Sequence, residues 1–103
     1  MSFMRVTTPT NRFRFPIDPT NFEIIRITYA QRDKVLFKKE KTDCVIDGFM
    51  VKVTLSQEET KLLNDRFPVQ VQVRGLTYSG AAVATKIWER EVGEVLDDGI
   101  LQP

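Results

Sequence analysis

The run Val69-Gln70-Val71-Gln72-Val73-Arg74 alternates apolar and polar residues without interruption. Successive side chains of a strand point to opposite faces, so this spacing buries the valines and leaves Gln70, Gln72 and Arg74 outside. The same period recurs along the chain. In Arg12-Phe13-Arg14-Phe15-Pro16-Ile17 the residues Phe13, Phe15 and Ile17 share one face and the arginines the other. Pro16 has no N–H to give a ladder, which puts this strand at an edge or ends it there. Between Phe22 and Ala30, Ile25, Ile27 and Tyr29 fall on one side and Ile24, Arg26 and Thr28 on the other. Lys34 to Glu40 follows the short connection Gln31-Arg32-Asp33 and predicts a hairpin partner for the preceding strand. Cys44-Val45-Ile46 and the alternating stretch Phe49 to Leu55 flank Asp47-Gly48, a dipeptide that suits a type I′ hairpin turn. Val51, Val53 and Leu55 then face inward. Gly75 predicts a bulge or bend, and a last strand is expected from Val83 to Val92.

Helical signal is confined to one place. Ser56-Gln57-Glu58-Glu59 has the form of a capping box, Ser at the N-cap and Glu three residues on, and opens a short turn through Leu62-Leu63. No amphipathic helix long enough for a parallel crossover is visible, which excludes a βαβ arrangement. About seven short strands at roughly ten-residue spacing, with one short helical turn between the fifth and sixth, predict an all-β, immunoglobulin-like β-sandwich. Polar residues 1–12 read as an N-terminal arm, 13–96 as the sandwich domain and 97–103 as a C-terminal tail. The 103 residues suffice for one such domain.

Composition removes much chemistry. There is no histidine, and one cysteine, which excludes Ser-His-Asp and Cys-His nucleophilic sites, His-ligated metals, an internal disulfide and a Cys-ligated zinc. Cys44 reads as a small buried hydrophobe. Glu58 and Glu59 read as first-turn carboxylates favoured by the helix dipole. Glu94, Asp97 and Asp98 lack the spacing of a calcium loop. No catalytic residue, cofactor or metal is therefore expected, and the expected class is non-enzymatic.

The charges are more informative. Net charge is +1, yet Arg5, Arg12 and Arg14 precede any acidic residue, and residues 89–99 carry five acidic residues, Glu89 and Glu91 among them, against Arg90. Opposed termini favour head-to-tail association or pairing of strands within the fold. Arg32, Lys34, Lys38, Lys39 and Lys41 gather around the second hairpin, and Lys38-Lys39-Glu40-Lys41 reads as protection of a sheet edge. With Phe13, Phe15 and Phe37 interleaved, the arm and the Arg32–Lys41 hairpin make a single-stranded nucleic-acid face the alternative function, although the parity of those phenylalanines turns them inward. Ile87 and Trp88 cannot both face one core, so one of them is an interface or bulge residue. The candidate contact residues are thus Arg12, Arg14, Arg32, Lys38 and Lys39, together with Trp88, Glu89 and Glu91. No apolar stretch is long enough for a signal peptide or a membrane span, so the expectation is cytoplasmic synthesis, with later entry into a particle left open.

Phe15-Pro16-Ile17-Asp18, Ile27-Thr28-Tyr29-Ala30-Gln31, Asp43-Cys44-Val45-Ile46-Asp47-Gly48, Val53-Thr54-Leu55-Ser56-Gln57-Glu58-Glu59-Thr60 and Val92-Gly93-Glu94-Val95-Leu96 carry a resemblance across residues 13–96. The chain resembles small structural proteins encoded in prophage-like regions of Gram-positive, often gut-dwelling, bacteria. It is also similar to the N-terminal sandwich domain of phage baseplate upper proteins, where a strand, a Leu-Thr-x-Glu-Glu helical turn and a Gln-x-Arg strand recur. The resemblance implies a β-sandwich with a virion or tail-associated role, partnered by other phage-particle proteins or by itself. It implies no catalytic residue, no membrane and no small-molecule substrate.

Overall fold

The computed structural model describes residues 2–93 and 99–102. Among them the chain forms β1 (Ser2–Met4), β2 (Thr10–Arg14), β3 (Phe22–Gln31), β4 (Lys34–Glu40), β5 (Cys44–Asp47), β6 (Met50–Thr54), α1 (Gln57–Lys61), β7 (Val69–Thr77), β8 (Ala82–Ala84) and β9 (Trp88–Gly93). One sheet runs β1-β9-β7-β3-β4, with β8 also on β7, and the other runs β2-β6-β5. All pairings are antiparallel except β1 with β9. Strands β2, β6 and β5 thus take the B, E and D places of an immunoglobulin sandwich, and β9, β7, β3 and β4 the G, F, C and C′ places. The first strand joins the long sheet instead of lying beside β2.

The alternation read from the sequence determines the core. Ile25, Ile27 and Tyr29 of β3 and Val69, Val71 and Val73 of β7 meet Val51 and Val53 of β6, with Leu55 and Leu63 from the flanks of α1, and none is more than 4% exposed. Burial of each such aliphatic side chain contributes about 1.5–3 kcal/mol over leaving it in water. The Tyr29 ring stacks on Phe37 at 4.7 Å, and its hydroxyl donates to Asn11 Oδ1 at 2.6 Å, joining the two sheets through a buried polar pair. The capping box forms as expected: the Glu59 N–H donates to Ser56 Oγ at 3.1 Å, and the Ser56 N–H to Glu59 Oε1 at 2.9 Å.

Five expectations are corrected. The segment expected as an arm is built into the fold, because Phe3 and Val6 are buried and β1 pairs with β9. Thr60 anchors this segment: its hydroxyl donates to the Thr7 carbonyl at 2.8 Å and accepts from the Thr7 N–H at 3.0 Å. Ile17 lies past the end of β2 and is 44% exposed, since Pro16 stops the ladder. The β5–β6 turn is Gly48-Phe49, with Asp47 paired to Met50 and a positive φ of 60° at Gly48 alone. That is the type II′ pattern, where the first central residue must be left-handed.

Gly75 is not a bulge. The irregularity lies between Phe22 and Ile24 of β3, across from Leu76 and Thr77, while Gly75 pairs regularly with Ile25; Gly75 leaves room for the Phe22 ring, whose Cδ1 stands 2.6 Å from where a Cβ would be. Finally, the last strand is two strands. Thr85 interrupts it by donating its N–H to the Val73 carbonyl (2.9 Å) while its hydroxyl accepts from the Val73 N–H (3.0 Å). The split and β1 raise the strand count above the expected seven. They also resolve the Ile87–Trp88 ambiguity, with Trp88 packed on the core and Ile87 53% exposed.

The tail residues Glu94, Asp97 and Asp98 lie outside the described residues. Beyond them, Leu101 returns to α1, where its N–H donates to Gln57 Oε1 at 2.7 Å and its carbonyl accepts from Gln57 Nε2 at 2.9 Å.

Candidate functional site

β2 forms one edge of the short sheet and faces β9 of the long sheet across an open seam. A cleft of about 350 Å³ there is lined by Phe3, Asn11, Arg12, Phe13, Arg14, Val71, Trp88 and Arg90. A second cleft of about 260 Å³ continues it along Phe15, Pro16, Ile17, Arg74, Val83 and Thr85, sharing Phe13, Arg14 and Trp88 with the first. The floor is aromatic. Phe13 and Trp88 stack at 5.7 Å between centroids, and Phe15 meets Phe22 edge-on at 5.4 Å. The rim is cationic, formed by Arg12, Arg14, Arg74 and Arg90, and among the described residues no carboxylate or thiol lines either cleft.

Local sequence explains this arrangement. Period-two alternation on β2 puts Phe13 inward and Arg12 and Arg14 outward. The Thr85 break lets Trp88 turn back to the core beside Phe13. Arg12 sits directly opposite Lys52 of β6, a like-charge pair that disfavours the bare surface. Lys52 has Asp47 at 3.2 Å; Arg12, Arg14 and Arg74 have no carboxylate within ion-pair distance among the described residues.

The backbone of β2 has a free side. The Phe15 N–H donates to the Phe49 carbonyl (2.8 Å) and the Leu55 N–H to the Pro9 carbonyl (2.9 Å), so the odd-numbered residues of β2 bond toward β6. Antiparallel pairs alternate, and the N–H and C=O of Thr10, Arg12 and Arg14 therefore point away from β6 into the open edge. β1 covers only Glu91 to Gly93 of β9, so among the described residues no strand lies between β2 and the Trp88–Arg90 part of β9.

Of the contact residues read from the sequence, the seam gathers Arg12, Arg14 and Trp88. Glu89 and Glu91 are exposed on β9, opposite Gln70 and Ser2. The hairpin residues lie elsewhere. Arg32 stacks over Phe67 at 4.7 Å, Lys39 pairs with Glu59 at 2.7 Å, and Lys38 is exposed opposite Thr28. Lys41 donates to the Phe22 carbonyl at 2.6 Å, and Phe37 is stacked on Tyr29 rather than open to a base. Arg74, Arg90 and Val83 complete the seam without having been singled out. The outward parity of Arg74 was readable, whereas Arg90 shares a face with Val69 and Val83 with Gly75, and the proximity of all three to β2 was not legible.

Reactive groups are spent on structure. Cys44 donates to the Glu40 carbonyl at 3.3 Å, and burial, reinforced by Asp43, pushes its thiol above the usual range. Asp18 accepts from the Thr20 N–H and hydroxyl, which holds its carboxyl below the usual range and caps a single 3-10 turn. Burial pushes the Tyr29 phenol well up, helped by Cys44 and Glu59. The seam is equipped to bind, through cations, stacked aromatics and a free strand edge.

Fold and seam define an all-β, immunoglobulin-like domain in which the β2 edge faces an open seam among the described residues. No protein-family model, no curated protein and no solved structure matches the chain.

Proposed function

We propose that this chain is a non-enzymatic β-sandwich module that works through protein–protein contacts, as a subunit or accessory of a phage-like particle. One observation carries the reading: the open seam along β2, with its aromatic floor and a cationic rim in which Arg12, Arg14 and Arg74 have no carboxylate partner among the described residues. A long, shallow, mostly apolar groove with charged margins suits a polypeptide better than a small metabolite, which is normally enclosed on most sides. The resemblance to prophage-encoded structural proteins and to the baseplate sandwich domain supports placing the partner within a particle.

The test is co-sedimentation. Particles induced from the strain that carries the gene are banded on a density gradient and probed for the protein, alongside light scattering of the purified chain at low and high salt. A fixed ratio of protein to particle, or a salt-sensitive oligomer, is expected. Absence from the particle band together with a monomer at both salts would overturn the reading.

A further inference from the structure

We propose that the free edge of β2 accepts an extended acidic segment of a partner protein as an added strand. This rests on the protein-contact reading and specifies how the contact is made. Three independent features of the edge converge on such an occupant.

The first is the backbone. Thr10, Arg12 and Arg14 each direct one N–H and one C=O outward from β2, in the repeat of two that a neighbouring strand would match. The second is space. The seam beside this edge holds a cleft of about 350 Å³ between β2 and β9, in the place where an immunoglobulin sandwich has its first strand beside the second. The third is charge. Side chains of an added strand alternate, so those on the outer face would lie directly beside Arg12 and Arg14, and those on the inner face would lie over Phe13 and Trp88. The complement of this edge is therefore acidic at every second residue and apolar between.

Other occupants fit less well. A second copy pairing β2 against β2 would bring its own Arg12 and Arg14 against this chain's arginines, of which Arg12 already stands opposite Lys52, and like charges across a ladder repel. A single-stranded nucleic acid needs open aromatic faces, whereas Phe13 and Trp88 are stacked on each other.

Trp88 is the sole tryptophan and lies in the cleft, so it reports occupancy directly. The probes are a blocked seven-residue peptide alternating Glu and Val, its Lys-Val counterpart, and oligothymidine. Each is titrated against the full chain while Trp88 emission is followed, and amide hydrogen exchange is read at Arg12 and Arg14. The expected result is saturable binding of the Glu-Val peptide, with both amides protected at least tenfold. The double variant Arg12→Glu/Arg14→Glu should lose at least tenfold in affinity for the Glu-Val peptide and gain the Lys-Val peptide. Both positions are exposed, and an unchanged circular dichroism melt would establish that the variant is folded.

Absent protection of the two amides, or equal binding of both peptides, would overturn the proposal. Tighter binding of oligothymidine would assign the seam to nucleic acid instead, and a dimer that the double variant abolishes would assign it to a second copy. If the parent chain bands with particles but does not bind the Glu-Val peptide, strand addition is refuted and the particle reading survives.

Discussion

Replacing Gly75 by Ala is expected to destabilise the domain by about 1–2 kcal/mol. Gly75 lies in β7, where the backbone is ordinary extended chain, so alanine meets no conformational barrier there. The loss of freedom in the unfolded chain would favour alanine by about 0.4–1 kcal/mol. Packing opposes it. The added Cβ would stand 2.6 Å and 2.7 Å from two carbons of the Phe22 ring, where ordinary contact begins at 3.4 Å. Phe22 is 2% exposed and is held edge-on against Phe15 at 5.4 Å, so the ring can yield only by shifting toward the cleft it lines, at the expense of that contact. Overpacking a close-packed interior in this way costs about 1–3 kcal/mol, which outweighs the gain from the stiffer unfolded chain. For a domain of this length the melting temperature should fall by about 4–16 °C.

Gly93→Ala is the control. Its Cβ would meet the end of the Met4 side chain, but Met4 is 42% exposed and can swing aside. Its melting temperature should stay within about 3 °C of the parent, since surface changes stay near ±0.5 kcal/mol. Thermal melts followed by circular dichroism compare the two, and Phe22→Leu in the Gly75→Ala background should recover part of the loss. A Gly75→Ala protein that melts at or above the parent would refute the packing argument.

Val71→Asp should abolish the folded spectrum at room temperature, because Val71 is buried in β7 and an unpaired charge there has no partner. Thr60→Val should lower the denaturant midpoint by an amount equivalent to about 1–3 kcal/mol, since it leaves the Thr7 N–H and carbonyl without their bonds. Stability should also fall as pH rises past about 9 to 10. Burial raises both the Cys44 thiol and the Tyr29 phenol above their ordinary values of 9.0 and 10.0, so the unfolded chain releases protons that the folded chain keeps, and the stabilisation present below pH 9 is lost upward. Denaturant titrations at pH 7 and pH 11 should show a shallower decline for Tyr29→Phe, whose neutral stability should drop because Asn11 loses its donor.

Much of this architecture was legible in the sequence because two-residue periodicity is a local property. Val69 to Arg74, Phe22 to Ala30 and Phe49 to Leu55 each specify which side chains are buried, and the structure buries the predicted ones. Ser56 and Glu59 specify a helix start over four residues. The failures share a cause as well. Met1 to Thr10 looks polar, but Phe3 and Val6 find their burial against elements far along the chain, including β9. Thr85 reads as an ordinary strand residue until Val73 is placed beside it. The Arg32-Asp33 turn, left-handed at both residues with φ of 52° and 63°, holds without glycine because Gln70 of β7 bonds Asp33 on both its N–H and its carboxylate.

The candidate site divides along the same line. Local alternation alone determines that Phe13 points inward and Arg12 and Arg14 outward, and composition that the chain has no histidine and a single cysteine. Only the tertiary structure decides that Arg74, Arg90 and Trp88 stand across from them, and that among the described residues β2 has no strand on its outer side. Facing within a strand follows from backbone geometry over two residues. Neighbours across a seam follow from the order of strands in two sheets, which depends on the summed burial of the whole core and is written in no single stretch of the chain.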